Sequence, residues 1–274
     1  MKIVALGSSG TVATVAVAED DKIIAEYSMN YKKTHSETLL PMLDEITKNA
    51  SIDLEDVDAV AVCAGPGSFT GLRIGAATAK GLALALDIPI VPVPTCAGIA
   101  YNMWGFDGLI CPIVDARRGQ VYTGVYRVVT DSPIELGVSD VTETTDNRVE
   151  SMSDEAVDNQ AVQGIGRLLE CLMDQDAMDI HDLITKLNEM NERVVFLGDG
   201  VPVFRATIEA EMKAPALFAP AHLTDENAAA IATLAMQYMK EGKAIPADDF
   251  APVYLRKSQA EREREKKLAE ESQV

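Results

Sequence analysis

Three β-branched runs open the chain with almost nothing between them: "KIVALG" (2–7), "TVATVAVAE" (11–19) and "IIAEYSM" (23–29), divided by "GSSG" and "DDK". Connections this short join antiparallel neighbours, so the spacing predicts a three-strand meander. The next apolar run, "VDAVAVCAG" (57–65), returns only after a helical stretch, which makes it a parallel partner reached by a crossover. That helix has a capping-box start, with Thr34 as N-cap and Glu37 three residues on, and Leu39, Leu43 and Ile46 share one face. Pro41 should kink it or mark where its regular part begins. A helix over roughly 70–86, the strand "IPIVPV" and a helix from about Thr95 complete βββαβαβα, an α/β pattern with a mixed sheet.

A second half starts near 105–108. "GLICPIVDARRGQVYTGVYRV" (108–128) reads as two strands around a turn at Arg117–Gly119. The region 139–192 is acidic and polar, with helical pieces expected near 160–174 and 179–191. Asp179 would cap the second, whose Leu183, Leu187 and Met190 share a face. "RVVFLGDG" (193–200) is a strand and turn. In 224–242, Thr224 reads as N-cap, Asp225 and Glu226 as first-turn acids and Gly242 as the stop. The expected organisation is an N-terminal lobe (1–107), a C-terminal lobe (108–223) with an atypical segment near 145–190, a helix (224–242) and a charged, solvated tail (257–274). No internal repeat is legible.

At 274 residues and 47% hydrophobic, the chain can bury a sizeable core. Its apolar runs are all interrupted well short of a membrane span, and "MKIVALGSSG" is too brief for a signal-peptide core. Four cysteines without CxxC spacing read as free thiols of a reducing, cytoplasmic compartment. The net charge of −19 opposes independent binding of nucleic acid, which requires a basic field.

"CAGPGSFTGLRIGAATAKG" (63–81) looks at first like a phosphate loop. Gly67 and Gly71 are followed by Leu72-Arg73 instead of Lys-Ser/Thr, and Gly65, Gly67 and Thr70 give GxGxxT, so neither standard phosphate motif is met. Gly67, Ser68, Thr70 and Arg73 stay as candidate anion or nucleotide contacts at a helix start, against a plain turn. Gly71, Gly75, Ala79 and Ala83 recur every four residues and, with Leu72 and Ala76, form a smooth ridge suited to close helix packing, within the protomer or with a partner. His35, His181 and His222 show no metal-binding spacing and read as surface residues, so no metal is assigned. Asp115 and Asp199 sit at strand ends, where turn capping and ligand contact are both open. No GxSxG elbow accompanies Ser68.

The segments "KTHSETLLPMLDE", "AVCAGPGSFTGLRIGAATAKGLA", "VPVPTCAGIA" and "PIVDARRGQVY" together resemble the TsaB (YeaZ-type) family of bacterial tRNA threonylcarbamoyladenosine synthesis, across about residues 1–128, with weaker support from "GDG" (198–200) and "PVYLR" (252–256). The resemblance implies a two-lobed actin/Hsp70/sugar-kinase-like (ASKHA) fold of mixed sheets flanked by helices. It implies a scaffold or activator without catalysis of its own, working with the transferase TsaD and the ATPase TsaE. The complex would modify the adenosine beside the anticodon of tRNAs reading codons that begin with A. Homodimers and the TsaD heterodimer would share the helix at 71–86, tRNA would be met only through the complex, and no intrinsic cofactor is expected, with ATP or ADP assigned to the complex interface. One departure matters: the family usually reads Leu-Asp-Thr-Ser at the first turn, and this chain has Leu6-Gly7-Ser8-Ser9. A kinase or ATPase of the same fold, using Ser68, Thr70 and Lys80, is the alternative, and a peptidase the third.

Overall fold

The computed structural model describes residues 1–31, 34–130, 167–256 and 264. β1 (Lys2–Gly7), β2 (Ala13–Glu19) and β3 (Lys22–Met29) form the expected meander. α1 (His35–Ala50) follows with its Thr34/Glu37 capping box and with Pro41 inside it. β4 (Ala59–Gly65) then pairs in parallel with β1, and after α2 (Phe69–Leu86), β5 (Ile90–Pro94) pairs in parallel with β4. The sheet order is β3-β2-β1-β4-β5. α3 (Thr95–Ala100) leads to the second lobe.

β6 (Leu109–Arg117) and β7 (Gln120–Thr130) are the expected hairpin, and β8 (Arg167–Asp179) extends it antiparallel. Next come α4 (Ile180–Met190), β9 (Val194–Leu197), α5 (Val201–Glu211), β10 (Ala216–Phe218), α6 (Ala221–Thr224) and α7 (Ala228–Lys240). The second sheet runs β8-β7-β6-β9-β10, the same path as the first. The fold is thus an internal structural repeat, although no repeat shows in the sequence. Each half supplies a meander, a helix, a parallel strand, a helix and a fifth strand. What recurs is the alternation of buried positions, which many sequences satisfy.

The layers follow from that alternation. On β1, Ile3 and Ala5 face the space between the sheets, while Val4 and Leu6 face α1 and α2. On β4, Ala59, Ala61 and Cys63 face inward, and Val60, Val62 and Ala64 outward. Strands covered on both faces need apolar residues throughout, as "KIVALG" and "AVAVCAG" show. The helices α3 and α7 fill the central layer between the sheets, and α4 and α5 cover the far face of the second sheet. α7 packs against β1, β2 and β5, so the C-terminal helix completes the core of the first lobe. The lobes are therefore interleaved around the boundary at 105–108.

Three expectations are corrected. The part of the helix expected over 160–174 that lies within the described residues belongs to β8, paired with β7 through two bulges. The helix expected over 224–242 starts later, at Ala228, with Asn227 accepting from the Ala230 N–H as the cap; Thr224 ends α6 instead. α5 and β10 were not foreseen. Most of the segment near 145–180 and nearly all of the tail at 257–274 lie outside the described residues.

Candidate functional site

The loop between β4 and α2 meets the first turn, residues 7–10, at close range. The Ser68 N–H donates to the Ser9 carbonyl at 2.7 Å, and the Ser8 hydroxyl donates to the Gly71 carbonyl at 2.9 Å. A side chain at Gly67 or Gly71 would run into the Ser9 or Ser8 backbone, and one at Gly75 into the Ser8 hydroxyl. This explains the ridge. Gly71, Leu72, Gly75, Ala76, Ala79 and Ala83, the six residues expected to meet a partner, are buried within the protomer. Small residues are needed there because the first turn and the sheet approach the helix closely. The solvent side of α2 instead presents Arg73, Ala77, Gly81, Leu84 and Ala85. On α1, Leu40 and Pro41 are exposed beside it on the same face of the sheet, and Leu40 and Leu84 keep 52% and 55% of their surface.

The residues considered for phosphate chemistry are held by structural contacts. Ser68 is the N-cap of α2, its hydroxyl accepting from the Gly71 N–H. Lys80 donates to the carbonyls of Asp248 and Phe250, both at 3.1 Å, fastening the C-terminal segment. The Arg73 guanidinium lies 4.0 Å over the Phe69 ring, which also packs on Tyr254. Thr70 is exposed.

The second feature is the cleft between the lobes, lined by Ser9, Gly10, Gly198, Asp199, Asp225 and Glu226 among others. It encloses about 10 Å³, the room of a single water. Glu226, only 6% exposed, is the residue sequence reasoning missed: it lies before α7 and points into the cleft, where it had been read as an exposed helix-start acid. Its Oε2 accepts from the Ser9 N–H at 3.0 Å, the Ser9 hydroxyl at 2.9 Å and the Gly10 N–H at 3.2 Å. Its Oε1 is buried with no nitrogen or oxygen donor in reach. Burial pushes the Glu226 carboxyl up from its ordinary pKa, against the lowering effect of these bonds and of the Cys63 thiol beside it.

Asp199 accepts from the Asp115 N–H at 3.0 Å and Asp115 accepts from the Arg117 N–H at 2.8 Å, so both carboxylates cap turns. Burial raises Asp199 and Asp225 as well. His35 departs from its reading as a surface residue: Nε2 meets the Gly10 carbonyl at 3.0 Å, and Nδ1 is buried without a partner. His181 pairs with Glu211 at the surface. Gln175 of β8 bridges the lobes, donating to the Gly65 carbonyl at 2.9 Å and accepting from the Cys96 N–H at 3.3 Å. Cys63, Cys96 and Cys111 are buried free thiols, and Cys171 is an exposed one. Among the described residues no group of three or more His, Cys, Asp or Glu is arranged to hold a metal ion. No helix among them is long and apolar enough to cross a membrane.

Comparison with known proteins places this geometry. The family model described as "TsaD: tRNA N6-adenosine threonylcarbamoyltransferase" matches residues 22–264. The tRNA threonylcarbamoyladenosine biosynthesis protein TsaB of Bacillus subtilis is 31% identical over 95% of this chain and 96% of its own length. The chain belongs to the TsaB family. The Escherichia coli TsaB is 34% identical over 46% of this chain and 55% of its own length. The match to the Bacillus protein takes in both lobes. The solved structure of YeaZ from Pseudomonas aeruginosa superposes with a TM-score of 0.68 over 93% of this chain and 99% of that one, at 23% identity, and so shares its fold. Within the family the usual first-turn acid is replaced here by Gly7, and the nearest carboxyl comes from Glu226 in the other half of the chain.

Proposed function

We propose that this chain is a non-catalytic scaffold and activator subunit for a TsaD homologue in tRNA threonylcarbamoyladenosine synthesis, a cytoplasmic process. The observation that carries the reading is the match to a TsaB protein along nearly the whole of both chains. The absence of catalysis by the subunit itself is supported by where its candidate groups are used. Ser68 caps a helix, Lys80 fastens the C-terminal segment, and Glu226 is enclosed against the first turn. The transfer step belongs to the partner, with the TsaE ATPase joining the complex, ATP or ADP held at the complex interface, and tRNA met only there.

The docking face is the solvent side of α1 and α2, and homodimer and heterodimer use it in turn. Arg73, Ala77, Gly81 and Leu84 give it a low profile in which backbones approach closely, flanked by the exposed Leu40. Co-purification with the TsaD homologue of the same organism tests the reading. The complex should form with wild-type protein and be lost when Gly81 is replaced by Arg, with the fold kept. Failure of the wild-type chain to associate with that homologue would overturn it.

A further inference from the structure

We propose that the Ser9 N–H, the Ser9 hydroxyl and the Gly10 N–H form an oxyanion cradle, and that Glu226 is its built-in occupant, a plug that keeps a phosphate-type anion out of the cleft. Two successive backbone N–H groups and a hydroxyl converge on one point within 3.2 Å. That is the donor arrangement of a backbone anion nest. The atom at that point comes from 217 residues further along the chain, so the contact is not local turn capping.

Two independent features mark the carboxyl as an occupant. Its second oxygen is buried and unpartnered, whereas a carboxyl placed only to tie two loops together would have both oxygens satisfied. The first turn is also shaped around it: a Cβ at Gly7 would stand 2.8 Å from Glu226 Oε1 and 2.5 Å from Thr14 Cγ2. Residue 7 therefore has to be glycine while Glu226 is in place. With the plug seated, the remaining 10 Å³ admits no phosphate. Asp199 and Asp225 line the same cleft, so an anion entering an emptied cradle would be accompanied by a cation. The ligand class is thus inorganic phosphate or a phosphate ester presented with a divalent ion. This goes beyond the partner-subunit reading and does not depend on it.

The test measures binding of inorganic phosphate with Mg²⁺ to the full chain, as wild type, Glu226→Ala and Glu226→Ser, by calorimetry and thermal shift. Truncation should tighten phosphate binding at least tenfold over wild type. Equal binding by all three proteins, or no gain in either variant, overturns the proposal. Hydrogen exchange at Ser9 and Gly10 in the wild type provides a readout independent of whether the variants fold. Protected amides, unchanged by millimolar phosphate and Mg²⁺, support the plug. Amides that exchange freely, or that phosphate protects, contradict it.

Discussion

Gly7 and Glu226 compete for one volume: the carboxyl of Glu226 stands where any side chain at position 7 would begin, with only 2.8 Å between a Cβ at Gly7 and Oε1. The family's usual aspartate at the first turn cannot coexist with this glutamate. A Gly7→Asp substitution should therefore unfold or strongly destabilise the protein by itself, by about 1–3 kcal/mol or more, as overpacking does. Combined with Glu226→Ala it should recover part of that loss, leaving the clash with Thr14. Denaturant melts of the two single variants and the double variant measure the coupling, and strict additivity would show that the two positions do not share space.

The small-residue ridge of α2 makes a contrasting pair of predictions. Gly71 meets the Ser8 backbone inside the protomer, so Gly71→Ala should lower stability by about 1–3 kcal/mol without a specific effect on association. Leu84 is exposed, and Leu84→Glu should change stability by no more than about 0.5 kcal/mol while weakening self-association and binding to the TsaD homologue. Sedimentation together with melting curves separates the two effects.

Much of this architecture was legible in the sequence because its determinants are local. Strands 2–7 and 57–65 are apolar throughout because both faces are covered, and the Thr34/Glu37 box fixes the start of α1 within one turn. β8 was not legible: its pairing with β7 is interrupted by bulges, so "RLLECLMDQDAMD" carries no clean alternation, and Leu168 and Leu172 mimic a helical spacing. The ridge itself was visible, but two helix faces rich in small residues cannot be told apart without knowing which one the first turn approaches. Glu226 was hidden for a related reason. In "TDENAAA" every polar residue is a plausible helix start, and its partners Ser9 and Gly10 lie more than 200 residues away.

The buried acid sets a pH dependence. The Glu226 carboxyl is raised in the folded protein, so the fold holds its proton more tightly than the unfolded chain does. Its favourable contribution is complete below the unfolded value and is lost as pH rises through the folded one. Asp199 and Asp225 shift in the same direction, and comparison with a variant isolates Glu226. The melting temperature of Glu226→Gln relative to wild type should rise steadily as pH is raised from the mid-acidic range toward neutral. A constant difference across that range would contradict the assignment.

Lys80 gives a separate check on the alternative of a kinase. Its ammonium holds the Asp248 and Phe250 carbonyls, so Lys80→Met should loosen the C-terminal segment at a cost of about 1 kcal/mol. Limited proteolysis should cut faster between residues 243 and 256 in the variant. An unchanged cleavage rate together with a loss of ATP binding would return this lysine to a phosphate role.

The most direct test of the central claim is the rate of threonylcarbamoyl transfer to tRNA by the TsaD homologue, assayed with TsaE and with or without this chain. The account predicts no transfer by this chain alone, little by the homologue without it, and full activity when wild-type protein is added but not Leu84→Glu. Full-rate transfer in its absence, or transfer by the isolated chain, would contradict it.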